Sequence, residues 1–350
     1  MKILVIQQKM IGDVLASSII CNNLKSIYSN AQIDYLIYPF TKPVVENNPN
    51  IDNVILFEDH LRKNKKELLR FLIKIRKRNY DIIIDVYGKL ESNLIIAFSG
   101  AEIKIGFHKW YTNFLYTTTI EELSKPLTNA GTAIENRLNL LKPLKPKISL
   151  DNKPKLFLTE KEIQNGRKIL DDIDFSKKLY MIGVLGSDIS KTYPFPFMAE
   201  ILDRIVEQTD ATLLFNYMPS QAKEARKIFK LCLPKTQKNI KINIVPGSIR
   251  EFLSITYHCN ALIGNEGGAV NMAKALNKPT FTIFSTWIIK EAWNCFENGT
   301  TNVSVHLKDY KPDLYGIKSA KEMKKESINL YEEFYPELFL PILKNYLKSN

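Results

Sequence analysis

The chain has 350 residues, 45% hydrophobic and 25% charged, with a formal net charge of +12. That length supports two domains of ordinary size, and the composition excludes a disordered, fibrous or collagen-like chain. No apolar run approaches the roughly 18 residues of a membrane-spanning helix. The apolar stretch Ile3–Ile6 is cut at once by Gln7, Gln8 and Lys9, unlike an export signal, so the expected address is the cytoplasm.

In chain order, Lys2–Ile6 reads as a short apolar strand and Val14–Tyr28 as a helix. Strands at Ile33–Tyr38 and Val54–Phe57 precede a helix over Asn64–Arg78. Ile82–Val86 is a buried strand, followed by a helix at Ser92–Phe98 and a strand at Ile103–Phe107. The stretch Leu141–Pro154 is rich in proline and lysine and lacks a period, so it reads as a linker. A second series follows: strand Tyr180–Leu185, helix Phe197–Gln208, strand Ala211–Phe215, helix Gln221–Leu231 and strand Ile242–Val245. It continues with helix Arg250–His258, strand Ala261–Gly264, helix Ala269–Leu276 and strand Thr280–Phe284. Ile328–Leu347 reads as one or two helices broken at Pro336 and Pro341.

Strands separated by helices imply parallel sheets covered on both faces. The expected class is α/β, with two Rossmann-like domains and a cleft between them. The domains are expected at 1–145 and 156–325, with a linker at 146–155. A C-terminal helical segment at 326–350 can pack back on the first domain. Ligands in such sheets sit at the carboxyl ends of strands, which directs attention to Gln7–Asp13, Gly186–Lys191 and Gly264–Gly268.

Gly264-Asn-Glu-Gly-Gly-Ala-Val-Asn271 follows a strand and opens a helix. Gly267 and Gly268 let the backbone approach a ligand, with free N–H groups aimed at phosphate. Glu266 and Asn271 can hydrogen-bond sugar hydroxyls, although the turn also reads as tight geometry alone. Gly186-Ser-Asp-Ile-Ser-Lys191 is at the matching place one strand earlier. There Ser187, Lys191 and Thr192 suit a departing diphosphate, with a solvated loop lysine as the plainer reading. In Ile11-Gly-Asp13, Asp13 is placed as a general base beside Gly12, or as the N-cap of a helix that starts at Val14.

His60–Tyr80 carries nine basic residues against the single acid Glu67. Leu61, Leu68, Leu72 and Ile75 give it a helical apolar stripe. Arg62, Lys63, Lys65 and Lys66 therefore suit an anionic acceptor or an anionic membrane face. Asp172-Ile-Asp174 resembles a metal-binding DxD but falls away from the strand ends. Cys21, Cys232, Cys259 and Cys295 form no CxxC pair, and the four histidines show no ligand spacing. No metal is expected, and no cofactor beyond a nucleotide-sugar substrate.

Together these residues resemble glycosyltransferase family 9, the ADP-heptose:lipopolysaccharide heptosyltransferases. Lys2–Val5, Ile11-Gly-Asp-Val14 and the stretch from Asn22 to Lys25 are similar to the family's first strand, loop and helix. Asp81-Ile-Ile-Ile-Asp85, Ser92 and Lys104-Ile-Gly-Phe107 resemble its next block, and Lys191-Thr-Tyr-Pro194 its K-x-W-P motif. Glu266–Leu276, Lys278-Pro279 and Phe284 resemble its D-S/T-G-x-x-H segment and following strand. The likeness is spread over about residues 1–290.

The resemblance implies a GT-B fold, inversion at the anomeric carbon and no metal, with Asp13 as general base. Lys191, Ser187 and the amides of Gly267 and Gly268 would then steady the leaving phosphates. Arg62 onward would hold a phosphorylated lipopolysaccharide inner-core-type acceptor at the cytoplasmic face of the inner membrane. Three residues depart from the family: Glu266 for aspartate, Gly267 for serine or threonine, and Asn271 for histidine. At the ribose position Gln221 and Glu224 both remain open. The donor is thus expected to be ADP-heptose, or a different nucleotide sugar. A non-catalytic nucleotide-sugar or glycan-binding protein is the alternative from another class, and the basic helix lacks the interleaved aromatics of a nucleic-acid binder.

Overall fold

Short runs with apolar residues on both faces dictate the architecture, because a strand buried on both sides needs helices above and below it. The computed structural model describes residues 1–316 and 318–350, and they divide into two compact units, Met1–Phe157 and Leu158–Asn350. In the first, β1 (Lys2–Ile6), β2 (Gln32–Ile37), β3 (Asn53–Leu56), β4 (Ile82–Asp85), β5 (Ile103–Phe107) and β6 (Thr118–Ile120) form one sheet. Its order is β3-β2-β1-β4-β5-β6, with every pair parallel. The direction of winding reverses between β1 and β4, the topological switch point at whose carboxyl edge such folds bind ligands.

This unit differs from the sequence expectation in several places. The first helix runs Ile11–Ile27, starting three residues earlier than expected. The basic segment is two helices, His60–Lys63 and Lys65–Arg76, separated where Asn64 caps the second by accepting from the N–H groups of Lys66 and Glu67. The strand β6 and the helix Thr132–Asn139 were not foreseen. That helix buries Glu135, Asn136, Arg137 and Asn139, so it carries no apolar stripe to reveal it. Asp151, within the stretch expected as a linker, exchanges two 2.8 Å hydrogen bonds with the Asn23 side chain and so is held in the first unit.

In the second unit β7 (Leu179–Gly183), β8 (Thr212–Asn216), β9 (Ala261–Asn265), β10 (Thr280–Ile283) and β11 (Asn302–Val305) are all parallel, in the order β11-β10-β9-β7-β8. Winding reverses between β7 and β9. The strand expected at Ile242–Val245 is not formed. The chain touches β8 at the bridge Leu213–Ile240, then turns before Pro246, which has no N–H to give to a ladder. The four-residue β11 was missed in turn.

The C-terminal segment belongs to the second unit, where Phe334, Phe339, Leu343 and Tyr346 are fully or nearly buried in the core. The Tyr193 hydroxyl donates to Phe334 O at 2.5 Å, and the rings of Phe281 and Tyr346 lie 5.4 Å apart. These aromatic side chains close one face of the second sheet, which would otherwise expose its apolar residues.

Candidate active site

At the switch point of the first sheet, β1 runs out into Gln7 and Gln8 and the chain enters the helix Ile11–Ile27. Met10 is its N-cap and makes no side-chain cap, so Asp13 falls at the third helical position and the capping reading of Asp13 does not hold. Its carboxylate turns instead to Arg137, whose Nη2 donates to Asp13 Oδ1 at 3.0 Å. Arg137 Nε donates to Ser17 Oγ at 2.7 Å, one turn further along the same helix, and Ser17 also accepts from Gln7 Nε2 at 3.2 Å. Both ionic side chains are about nine-tenths buried, at 11% and 8% exposed. Asp13 Oδ1 has a weaker second cation, Lys9 Nζ, at 3.9 Å. No hydrogen bond to Oδ2 occurs among the described residues, and that oxygen is not sealed from solvent. One carboxylate oxygen is thus pinned, and the other is left to accept a proton. The sequence did not point to Arg137, which lies between the strand expected at Ile103–Phe107 and the linker-like stretch from Leu141, where no element was expected.

Gly12 sits beside Asp13 in the first helical turn. Of the predicted acceptor contacts, Lys63, Lys65 and Lys66 are exposed. Arg62 is engaged: Nε donates to Glu91 Oε1 at 3.0 Å, and the guanidinium lies 4.6 Å from the Tyr38 ring centroid. Burial of the Tyr38 hydroxyl pushes its pKa above the usual phenol range.

At the second switch point the two predicted donor loops meet. Lys191 Nζ lies 3.2 Å from Glu266 Oε1, an ion contact whose angle is too poor for a hydrogen bond, so Oε1 keeps its accepting capacity. Two devices hold the loops together. Asn265 at the end of β9 accepts from Tyr193 N at 2.7 Å and donates to Gly183 O at 2.8 Å. Ser190 O accepts from both Ser285 Oγ (2.7 Å) and Trp287 Nε1 (2.9 Å). Gly186 is required by packing, since a Cβ there would stand 2.2 Å from Lys191 O. Gly267, at φ 149°, precedes the helix Gly268–Ala275, and a Cβ on it would meet nothing within 4 Å, so the backbone faces open space.

Two of the predicted donor contacts also bond to loop backbone. Thr192 Oγ1 accepts from Gly186 N and donates to Asp188 O, and Gln221 bridges Gly186 O (2.8 Å) and Met218 N (3.0 Å). Both side chains shape the loop from within. Ser187 is exposed, and Glu224 is half-buried with no hydrogen bond or ion pair among the described residues. Beside the loop is a pocket lined by Glu266, Gly267, Asn271, Lys274, Thr282 and Trp293. Lys274 was not foreseen. Burial holds its pKa below the ordinary lysine value, and its Nζ donates to Cys295 O at 2.7 Å. Thr282 Oγ1 is buried there without a partner, a group that a ligand hydroxyl would satisfy.

Asp174 of the DxD-like pair accepts from Ser176 N and Oγ, and among the described residues no three His, Cys, Asp or Glu side chains gather as metal ligands. The four cysteines are buried. Among the described residues, no helix is long and apolar enough to cross a membrane.

The sequence model described as Glycosyltransferase family 9 (heptosyltransferase) matches residues 68–313, well over half of the chain. The chain belongs to glycosyltransferase family 9. It is therefore a glycosyltransferase, and the family resemblance drawn from its motifs holds. Lipopolysaccharide heptosyltransferase 1 of Campylobacter coli is 25% identical over 300 residues, covering 81% of this chain and 84% of that one. Among solved structures, a family-9 glycosyl transferase from Veillonella parvula superposes with a TM-score of 0.74 at 15% identity, covering 95% of this chain and 97% of that one. E. coli ADP-heptose LPS heptosyltransferase II gives 0.69 at 14% identity, covering 95% and 99%. At these identities the structural likeness is one of fold, and the fold is GT-B, as the family-9 motifs implied.

Proposed function

We propose that this family-9 enzyme transfers a heptose, with inversion and without a metal, from a nucleotide donor such as ADP-heptose to a lipopolysaccharide inner-core-type acceptor. The observation that carries the reading is the Asp13–Arg137 pair, with one oxygen of a buried carboxylate held and the other free. Asp13 Oδ2 takes the proton of an acceptor hydroxyl as that oxygen attacks the anomeric carbon from the face opposite the leaving group. The bond from that carbon to the diphosphate breaks, and its electron pair leaves on a phosphate oxygen. Lys191 and the open amides at Gly267 and Gly268 answer the charge that grows there. Glu266 and Asn271 orient the sugar, and release of Lys191 from Glu266 is part of donor binding.

The relatives' names support this donor and acceptor: a lipopolysaccharide heptosyltransferase and an ADP-heptose LPS heptosyltransferase. The acceptor is met at the cytoplasmic face of the inner membrane, with Lys63, Lys65 and Lys66 on its phosphates. A different nucleotide sugar is favoured by one observation, the pocket that joins Glu266 and Asn271 to Lys274, where the family's motif differs.

The test is turnover with a panel of nucleotide sugars, with and without EDTA, on the wild-type chain and Asp13→Asn. The expected result is transfer from an ADP-heptose that survives EDTA, and loss of about 10²–10⁴-fold in kcat for Asp13→Asn with donor affinity kept. A folded Asp13→Asn protein with most of its turnover would refute the mechanism.

A further inference from the structure

In the first unit every strand is parallel, so the loops after β1 to β6 all emerge at one edge of the sheet. The four most exposed large apolar side chains among the described residues are all on these loops. They are Leu90 (72%) after β4, Trp110 (86%) and Phe114 (82%) after β5, and Leu127 (75%) after β6. Phe40, after β2, is also exposed. Chance placement would scatter such residues singly, which needs no explanation. Here the loops that carry Leu90, Trp110, Phe114 and Phe40 are tied to one another. Lys109 Nζ donates to Gly88 O, joining the β5 loop to the turn that carries Leu90. Glu91, next to Leu90, accepts from Arg62, which covers the Tyr38 ring, and Tyr38 stacks on Phe40 at 6.1 Å. Trp110 and Tyr111 meet edge to face at 5.5 Å.

The loops are also built to hold their shape. The fully buried Asp85 at the end of β4 accepts from Tyr87 N and Gly88 N at 2.9 Å each and from the Tyr116 hydroxyl at 2.8 Å. The apolar tips are therefore presented on a fixed platform. Around them Lys42, Lys63, Lys65, Lys66 and Lys89 are exposed. Among the acids on these loops Asp59 and Glu91 face Arg62 and Glu121 faces His108, and Glu58 and Glu122 leave the exposed lysines in excess.

We propose that this edge docks on an anionic lipid bilayer, with Trp110 and Phe114 as anchors in the interface and Leu90 and Phe40 beside them. Exposed indole and phenyl rings gain by entering the headgroup boundary, and a ring of lysines matches a negative surface. This rests on the reading of a membrane-borne acceptor, and it assigns the contact to aromatic loops that the basic helix alone would not supply. It also places the surface on the same sheet edge as Asp13, so docking brings the general base toward a lipid-linked acceptor.

The test uses the full chain and vesicles of phosphatidylcholine with and without phosphatidylglycerol, in the absence of any sugar donor or acceptor. Its outcome is therefore independent of whether the transferase reading holds. The wild type is expected to partition onto the anionic vesicles and to lose that binding as salt rises. Trp110→Ser/Phe114→Ser, which removes exposed rings only, lowers the partition coefficient about tenfold or more. Lys63→Gln/Lys65→Gln/Lys66→Gln lowers it by about fivefold per charge. With a delipidated soluble acceptor the aromatic variant keeps the wild-type kcat, while turnover on vesicle-borne acceptor falls. Equal binding by wild type and the aromatic variant would overturn the proposal. So would failure of the wild type to bind, or a dimer in sedimentation that the aromatic variant splits.

Discussion

Replacing Arg137 with methionine keeps most of the side-chain volume and removes the charge, leaving Asp13 without its hydrogen-bond donor and Ser17 with Gln7 alone. Removing one partner of a buried ion pair costs about 3–5 kcal/mol. Here the cost is expected toward ~2–3 kcal/mol, because Lys9 remains at 3.9 Å and is more than half exposed, worth under ~1 kcal/mol as a surface partner. Arg137→Lys should lose less, since one ammonium reaches Asp13 or Ser17 but not both as the guanidinium does. Urea unfolding of wild type, Arg137→Met, Asp13→Asn and the double variant gives the coupling energy directly. A coupling of about 1.5–3 kcal/mol is expected. Activity supplies the second readout. A carboxylate that drifts by an ångström loses about 10²-fold in rate, so kcat falls in Arg137→Met while the donor's dissociation constant is unchanged. Lysine should restore part of kcat. Coupling near zero with full kcat in Arg137→Met would show that the pair neither holds nor aims Asp13.

Two further outcomes follow from the second unit. Lys191→Met is expected to lower kcat by about 10²–10³-fold, the usual loss when a charge-stabilising donor is removed. Because Lys191 and Glu266 are 3.2 Å apart, the loss in Lys191→Met/Glu266→Gln should be smaller than the two single losses combined; steady-state kinetics that add would count against the contact. Elsewhere, paired hydrogen bonds from Arg250, each 2.7 Å, hold the Glu162 carboxyl at a pKa of about 2, below the ordinary 4.5. A depressed carboxyl stabilises the fold above its unfolded pKa, and that contribution is lost as pH falls from about 4.5 toward 2. For this partly exposed pair it is worth about 1–2 kcal/mol. Glu162→Gln should therefore flatten the fall in thermal midpoint across that window, and an unchanged acid limb would remove the pair from the account.

Much of the site was legible because its signals are local. A strand followed by a small-residue turn and a helix is written in a dozen consecutive residues, so Asp13, Lys191 and the Glu266–Asn271 loop could be located from spacing. Polar partners were not legible. Asn265 and Trp287, which hold the two candidate loops together, carry no local signal of that role. Gln221 and Thr192 were expected to meet a donor, and each also makes two hydrogen bonds to loop backbone.

The sequence alone determined the alternation of strand and helix, the two Rossmann-like halves and the places where ligand loops must emerge. Those properties follow from periods of two and 3.6 residues and from glycine's backbone freedom, which neighbouring residues carry by themselves. Only the tertiary structure decided that Arg137 meets Asp13, that the C-terminal segment completes the second core, and that Leu90, Trp110 and Phe114 share one sheet edge. Each of these depends on strand order, which brings together residues far apart in the chain.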